Sequence, residues 1–198
     1  MPNPLLRSDG EEFLDVASSV ADVDFDFQNL PVRIVLTREV PFSHPATERL
    51  QSIRIGQETE VPYWVADELV NAGFAKYREE DVLDFPKLSK THWKETMPSS
   101  TQLPSLQADF YCMLRRFLTG LKAQGKQDTS KLREYEKADN LSRDIVNCRL
   151  RKIASFAAAP GPSGDLLKSM TSEEQALYKQ LRSTIAEWKS SILESEPL

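Results

Sequence analysis

The sequence predicts an α+β protein, in which a small N-terminal β-rich domain precedes an all-α helical bundle domain. Large aliphatic residues recur at every second position, at Val32, Ile34 and Leu36, which is the two-residue period of a strand. From residue 105 onward, apolar residues recur every three or four positions, as in amphipathic helices. The predicted units are an acidic N-terminal arm at 1–30, the β-rich domain at 31–80, a connector at 81–104 and the helical domain at 105–198.

The first thirty residues are strongly acidic. They hold seven acidic residues and one arginine, whereas the rest of the chain is nearly neutral, since the net charge of all 198 residues is −5. A short helix around Glu11–Ser19 fits the pattern. The run Asp22–Phe27 alternates acidic and apolar residues, which is compatible with an edge strand, a partner-binding arm or a mobile leader.

The β-rich domain is predicted to begin with a strand at Val32–Leu36, after which Ser52–Ile55 forms a second strand. A short helix then starts at Pro62, whose missing N–H costs nothing in a first helical turn. Gly73 suits the left-handed position that ends such a helix. Residues on one face of this helix are expected to point inward, namely Trp64, Val65, Leu69 and Ala72.

The connector is predicted to contain a short helix with Leu88 and Trp93 facing inward. Three longer helices follow, at 105–122, 130–159 and 171–193. The last one is introduced by Thr171 and Glu174, which have the spacing of a capping box. Wide apolar faces on these helices are typical either of a buried core or of a subunit that shares its core with neighbours.

No motif predicts catalysis, a cofactor or a metal. His44 and His92 lie in different segments without a cysteine or a second histidine at ligand spacing. Phosphate-binding and nucleophile-elbow motifs are absent from the sequence, and the segment at 161–165 is interpreted as a linker. We therefore expect a protein that is not an enzyme, although an unrecognised small enzyme that uses one of the histidines stays an alternative.

Cysteine content and hydropathy predict the environment of the chain. Cys112 and Cys148 are expected to be buried free thiols, since two cysteines cannot build a disulfide framework. No apolar run approaches the ~20 residues that span a bilayer, and the N-terminus lacks an apolar signal region. These features favour a soluble intracellular protein.

A basic cluster lies within the longest predicted helix and consists of Arg143, Arg149, Arg151 and Lys152. At about 100° per residue, these side chains spread around the helix and do not form one stripe. Three interpretations stay open: solvated or i,i+4-paired surface charge, buried arginine pairing at an interface, and direct contact with nucleic acid. The last would make the chain a stand-alone nucleic-acid-binding or adaptor module whose DNA affinity depends strongly on salt.

Five segments follow one another in a recognisable order: LPVRIVLTREVP, TEVPYWVADELVNAGFAKY, DFPKLS, LQADFYCMLRRFL and SRDIVNCRLRKIASFA. This order resembles a subunit of the GINS DNA-replication complex, of the class in which the small β domain precedes the helical domain. The chain combines features of both eukaryotic subunits of that class, as an archaeal subunit would. The resemblance covers about Leu30 to Ile192 and leaves out the acidic arm.

The resemblance implies a non-catalytic subunit that scaffolds and activates the MCM replicative helicase and bridges it to a Cdc45/RecJ-like partner. It also implies a paralogous GINS subunit, in a heterotetramer with two copies of each. Contact with DNA would be weak and indirect, and no membrane would be involved. The expected location is the replication fork, in the cytoplasm at the nucleoid or, in a eukaryote, in the nucleus.

Two contact surfaces are predicted, because aromatic and arginine side chains commonly dominate protein interfaces. Whether the apolar candidates face the chain's own core or a neighbour stays open. The docking unit of the β-rich domain comprises Pro62, Tyr63, Trp64, Leu69 and Gly73. The subunit interface of the helical domain comprises Phe110, Phe117, Arg149, Arg151, Leu177, Leu181, Ile185 and Trp188.

Overall fold

A computed structural model describes residues 16–40, 53–97, 103–160 and 164–193 of the chain. A small antiparallel sheet precedes a helical region, which confirms the predicted α+β class. The elements in chain order are α1 (Val16–Asn29), β1 (Pro31–Leu36), β2 (Glu58–Pro62), α2 (Tyr63–Asn71), β3 (Ala75–Tyr77), a 3₁₀ turn (Glu79–Asp81), α3 (Phe85–Thr96), α4 (Phe110–Gly125), α5 (Thr129–Ala158), α6 (Gly164–Leu167) and α7 (Ser172–Leu193).

The β-rich domain is a three-stranded sheet covered by one helix. Its strand order is β2-β1-β3, and both pairings are antiparallel, with Val32 opposite Val61 and Leu36 opposite Ala75. Alternate residues of β1 point into the core, where Ile34 is fully buried. Helix α2 closes this core with Val65, Ala66 and Leu69.

The glycine predicted to end α2 is confirmed, whereas the second strand lies later in the chain than predicted. Gly73 has a φ of +78° and so adopts the left-handed conformation that the sequence predicted. The strand predicted at Ser52–Ile55 is wrong, because residues 53–55 are not in a strand; Ser52 lies outside the described residues. Gly56, with a φ of +86°, turns the chain there, and the second strand starts only at Glu58.

Two aromatic side chains predicted to be buried are exposed. Trp64 is 43% exposed, because the buried stripe of α2 runs through the residues after it, and Ala72 is exposed as well. Trp93 is 61% exposed, since it lies on the side of α3 opposite the fully buried Leu88. The inward positions of Leu88 and Leu69 are confirmed.

The helical domain is built around α5, which has 30 residues. Helices α4 and α5 form a hairpin, and α3 packs along α5. Gly125 lies close to the start of α5 in the hairpin turn, where a Cβ would stand 3.1 Å from the Cα of Leu132 and crowd the backbone. The first core of this domain contains Leu83, Leu88, Phe110, Leu114, Leu121, Ala138 and Ile145.

A second core lies where the C-terminal part of α5 meets α7, around Ile153, Ala157 and Tyr178. The predicted capping box is confirmed there: the backbone N–H of Thr171 donates to Glu174 Oε2 at 3.1 Å, and the N–H of Glu174 donates to Thr171 Oγ1 at 3.4 Å. The three predicted helices correspond to α4, α5 and α7. Helix α4 starts five residues later than predicted, after a segment that buries Leu103.

The described part of the acidic arm is helical. Residues Asp22–Phe27 belong to α1, so an edge strand there is wrong. In a helix, residues three apart share a face, which lets Asp24 and Phe27 reach the body of the protein together. Of the short helix predicted around Glu11–Ser19, residues 16–19 lie in α1, and residues 11–15 lie outside the described part. Across the described ranges, no helix is both long and apolar enough to cross a membrane.

Candidate protein-interaction surfaces

A buried charge cluster joins four parts of the helical domain. Arg149 of α5 is only 1% exposed, and its guanidinium contacts Glu95 of α3 and Glu174 of α7. Its Nη2 donates to Glu174 Oε2 at 2.7 Å. Its Nη1 donates to the carbonyl of Pro104 at 2.8 Å, in the segment before α4. One arginine therefore ties α3, α5 and α7 together.

The carboxylates of this cluster have further donors. Lys152 Nζ lies 3.0 Å from Glu95 Oε2, and Tyr111 Oη donates to Glu174 Oε1 at 2.6 Å. Two cations thus face two buried carboxylates, and their formal charges cancel. Burying such charges is tolerable only when they are paired and their hydrogen bonds are made.

The pKa values in the cluster follow from this arrangement. Burial alone would lower the pKa of Arg149, but the hydrogen bond and charge of Glu174, together with Glu95, outweigh it and raise the pKa. Burial raises the pKa of Tyr111, and the negative charge of Glu174 raises it further. Tyr111 therefore stays protonated and can donate. Arg149 likewise keeps its charge, so the ion pairs that it makes with the two carboxylates are retained.

A second cluster joins the β-rich domain to the helical domain. Arg116 of α4 lies over the ring of Tyr63, with Cζ 3.9 Å from the centroid, and 5.2 Å from the centroid of Phe27. The same guanidinium lies 3.5 Å from Asp67 Oδ2 on α2. Tyr77 completes the contact, since its hydroxyl donates to Asp67 Oδ1 at 3.2 Å. Arg116 thus packs on aromatic faces while its charge is paired, which fixes one domain against the other.

Helix α1 contributes to this junction from the N-terminal side. The ring centroids of Phe27 and Tyr63 are 4.6 Å apart, and Phe27 is buried. One turn earlier, Asp24 Oδ1 accepts a hydrogen bond from Arg115 Nη2 at 2.7 Å. Burial would raise the pKa of Asp24, but hydrogen bonds from Arg115 and Cys112 outweigh it and lower the pKa. The described part of the acidic arm, helix α1, therefore packs on the helical domain.

Beside this contact, the carboxylate of Glu173 is buried, and neither of its oxygens has a hydrogen-bond partner among the described residues. Its negative charge contributes to raising the pKa of Arg115 and the pKa of the Cys112 thiol. Burial, together with the hydrogen bond to Asp24, raises the pKa of Cys112 to about 12. Cys112 is a buried free thiol, as predicted, whereas Cys148 is only half-buried.

The C-terminal half of α7 presents apolar side chains to solvent. Trp188 is 63% exposed, and Ile192 and Leu193 are exposed with it. Ile185, Trp188 and Ile192 are three and four residues apart and so share one face of the helix. Helix α5 ends at Ala158, whose carbonyl accepts from Lys189 Nζ at 3.1 Å, so α7 continues past it. An apolar depression of about 240 Å³, lined by residues 157–160 and by Ile185, borders this stripe.

The other predicted interface residues of the helical domain fall into two groups. Phe110 and Arg149 are buried in the chain's own core, which gives them a structural role inside the chain. Arg151 is exposed, and the remaining residues are half-buried, namely Phe117, Leu177, Leu181 and Ile185. The structure brings Leu181, Ile185 and Trp188 together on α7, whereas Phe117 belongs to the α4 core.

The predicted docking unit of the β-rich domain is divided in the same way. Tyr63 and Pro62 are half-buried, and Tyr63 faces the domain junction. Leu69 is a core residue, and Gly73 lies at the exposed turn. Trp64 is the exposed side chain of the set that could contact a partner.

The basic residues singled out in α5 have separate surroundings. Arg143 Nε forms an i,i+4 pair with Asp139 Oδ2 at 2.7 Å. Arg149 and Lys152 belong to the buried cluster. Arg151 alone of the four makes no ion pair within the described residues. His92 Nε2 lies 3.4 Å from Asp144 Oδ2 between α3 and α5, and His44 lies outside the described residues. Nothing in the described ranges groups three or more potential metal-ligating side chains.

A protein family matches the chain. Its model, described as Sld5, GINS complex protein helical bundle domain, matches residues 76–193, which is more than half of the chain. The match begins within β3 and runs to the last residue of α7. It therefore contains the buried charge cluster and the exposed stripe of α7. A search of curated proteins finds no match.

Proposed function

The chain belongs to the GINS family of DNA-replication complex subunits, and we propose that it is a non-catalytic scaffold that activates the MCM replicative helicase and bridges it to a Cdc45/RecJ-like partner. Members of this family assemble with other GINS subunits. The proposal concerns what this chain contributes to such an assembly, and its location at the replication fork, in a nucleoid or a nucleus, follows from it.

The exposed stripe of α7 carries the proposal. A Trp, an Ile and a Leu in contact with water at one helix end lose the ~1.5–3 kcal/mol that burial of each such side chain can provide. Contiguous apolar patches of this kind mark protein interaction sites on otherwise polar surfaces. We assign the stripe, with Leu181, Ile185 and the depression beside it, to the contact with another GINS subunit.

The partner at this stripe is proposed to be a paralogous GINS subunit, in a heterotetramer with two copies of each. Trp188 has the size and chemistry of an interface anchor, because large aromatic residues are enriched among the side chains whose truncation costs most binding energy. Leu177 lies one turn before Leu181 and is half-buried, so it supports the stripe from the core side.

The β-rich domain supplies a second contact point for a scaffold. Trp64 lies on the outer side of α2, while the junction at Arg116 fixes that domain against the helical domain. Two contact points held at a fixed spacing suit a protein that bridges two partners. We assign Trp64, rather than the buried Leu69, to a replication-fork partner such as the MCM helicase or the Cdc45/RecJ-like protein.

A stand-alone nucleic-acid-binding module receives little support from the basic segment of α5. Arg149 and Lys152 are held in the buried cluster, and Arg143 is paired with Asp139, so of these four cations Arg151 alone has no carboxylate partner among the described residues. Phosphate contacts dominate DNA affinity, and one contact gives little of it. Any contact of this segment with DNA is therefore expected to be weak.

The proposal is tested by the mass of the complex that the chain forms. The full chain is co-expressed with a paralogous GINS subunit, and the purified product is analysed by multi-angle light scattering. The expected product contains two copies of each subunit and dissociates when Trp188 and Ile192 are both changed to alanine. Trp64→Ala is the matched control, because it removes an exposed tryptophan from the other domain and should leave the mass unchanged.

Two results would contradict the proposal. One is a wild-type chain that stays a monomer in the presence of the paralogue. The other is a complex that survives the double substitution on α7 but is lost with Trp64→Ala, which would move the subunit interface to the β-rich domain.

A further inference from the structure

The outer face of α3 is basic and aromatic. Lys90, Trp93 and Lys94 are all exposed, and Trp93 lies between the two lysines in sequence. No acidic side chain of the described residues lies within ion-pair distance of either lysine. The opposite face of α3 is occupied by the fully buried Leu88 and by Glu95 of the charge cluster. The exposed face therefore has no ion-pair partner among the described residues.

The outer face of α1 has the opposite charge and the same spacing. Asp22, Phe25 and Asp26 are exposed, and Phe25 is 68% accessible. Neither aspartate is in an ion pair with any residue that the structure describes. The inner face of the same helix is occupied, since Asp24 contacts Arg115 and Phe27 contacts Tyr63.

The two faces match residue for residue. Each has a charge at position i, an aromatic ring at i+3 and a second charge at i+4, so the two charges stand about 6 Å apart along either helix axis. When the helices lie antiparallel, each carboxylate faces an ammonium group and the two rings meet between the pairs. Buried aromatic contact with a rim of opposite charges is the usual composition of a protein interface.

We propose that the outer face of α1 in one copy of this chain docks on the outer face of α3 in a second copy. The partner is a second copy because both faces are exposed on the same molecule and each carries the charges that the other lacks. A dimer with two-fold symmetry would use the pair of faces twice, since each copy offers both an α1 and an α3. This surface is separate from the α7 stripe and does not depend on the proposed function.

The contact is expected to be weak and sensitive to salt. Exposed lysine–aspartate pairs contribute little individually and are screened within a Debye length of about 10 Å at 0.1 M salt. The aromatic pair supplies the part of the association that salt does not remove. Self-association should therefore fall as salt rises without vanishing.

Charge reversal followed by mixing tests this pairing. One variant carries Asp22→Lys with Asp26→Lys, and the other carries Lys90→Glu with Lys94→Glu, both in the full chain. Sedimentation velocity over a concentration series is expected to show that each variant alone associates at least about tenfold more weakly than the wild type, because attractive pairs become repulsive. An equimolar mixture of the two variants should associate again, since the reversed faces complement each other.

The matched control is Arg133→Glu with Lys137→Glu. These exposed residues of α5 have the same i,i+4 spacing and the same change of charge, and they should leave association unchanged. Unaltered thermal unfolding of all variants shows that the substitutions act on association. Three outcomes would overturn the inference: a wild-type chain that stays monomeric throughout the series, reversed variants that associate as the wild type does, or a mixture that fails to associate. Trp188→Ala is measured in the same series. If the reversed variants associate as the wild type does and only Trp188→Ala abolishes association, the contact lies on α7 and the inference is overturned.

Discussion

The two halves of α7 have opposite surroundings. In the first half, Glu174 is buried among Arg149, Tyr111 and the cap at Thr171, and Tyr178 closes the second core. In the second half, Trp188 and its apolar neighbours stand in solvent. Charged groups are thus inside the chain and large apolar groups are outside it, which reverses the usual distribution.

The first half of α7 therefore contributes to the stability of the chain, and the second half is available for binding another subunit. In the first half, Glu174 is paired with Arg149 within the chain, so this carboxylate needs no partner from another subunit. The second half leaves apolar surface exposed to water. The isolated chain still folds with this surface exposed, and another subunit can bury it on binding. Substitutions in the first half should therefore change stability, and those in the second half should change association.

The largest expected effect is at Arg149. Arg149→Ala leaves Glu95 and Glu174 buried with too few cations, and breaking a buried pair in this way costs about 3–5 kcal/mol of unfolding free energy. Urea unfolding followed by circular dichroism measures this cost. Arg151→Ala is the control, since it removes an exposed arginine two residues away and should change stability by less than about 0.5 kcal/mol. Equal effects of the two substitutions would contradict the paired core described above.

The opposite pattern is expected at Trp188. Trp188→Ala should cost the isolated chain less than about 0.5 kcal/mol of stability, because an exposed side chain gives up little on truncation. The same change should weaken binding to the paralogous subunit by about 2 kcal/mol or more, as anchor residues do. Unfolding of the isolated chain and titration calorimetry with the paralogue measure the two quantities. A large loss of stability with unchanged binding would reverse the assignment of the two halves.

A smaller effect is expected at the junction between the domains. Arg116→Ala removes the guanidinium from the ring of Tyr63 and from Asp67, at a cost of about 1–2 kcal/mol for the cation–π contact and the ion pair together. Arg116→Lys should recover only part of this, because an ammonium group does not stack on a ring as a guanidinium does. Thermal unfolding ranks the three proteins, and a lysine variant as stable as the wild type would contradict the stacking.

The smallest expected effect is at Asp24 and depends on pH. The pKa of Asp24 is lowered in the fold from its ordinary value of 3.8. Its ionised form therefore stabilises the docked α1 above about pH 4, and this stabilisation is lost as the pH falls through the lowered pKa. Asp24→Asn should lower the free energy of unfolding at neutral pH. It should also reduce the further loss of this free energy as the pH falls below about 4.

Alkylation of Cys112 reports on the same contact. The thiol is buried beside Asp24 and has a raised pKa, so it should react much more slowly than the half-buried Cys148 in the wild type. Mass spectrometry after timed treatment with iodoacetamide follows each cysteine separately. Faster labelling of Cys112 in the Asp24→Asn variant is expected, and identical labelling would show that α1 does not protect the thiol.

Local signals predicted much of the fold. The capping box at Thr171 and Glu174 placed the start of α7, because both hydrogen bonds of that motif lie within one turn. Helical periodicity predicted α4 and α5, and the left-handed Gly73 ended α2 where expected. These features depend on residues close in sequence, which a single sequence records directly.

Features that depend on distant residues were not predictable in the same way. Glu95, Arg149 and Glu174 come from three separate helices, and nothing in their local patterns joins them. An arginine surrounded by Ile145, Cys148 and Ile153 on the helix was a weak signal that it points inward. Alternation at Asp22–Phe27 suggested a strand, but contacts with Arg115 and Tyr63 favour the helix. Trp64 was expected to face inward because residues three and four apart share a helix face, but the buried face of α2 starts only at Val65. Trp93, expected to face inward with Leu88, is exposed on α3.

Trp188 is itself a fluorescent probe of whether the end of α7 becomes buried when the subunits assemble. A chain with Trp64→Phe and Trp93→Phe keeps Trp188 as its single tryptophan. Its fluorescence and its quenching by acrylamide are recorded before and after the paralogous subunit is added, while light scattering verifies that a complex has formed. If Trp188 is buried at the interface, assembly should shift its emission to the blue and reduce its quenching by acrylamide. A complex in which Trp188 stays as accessible to acrylamide as in the free chain would contradict this burial.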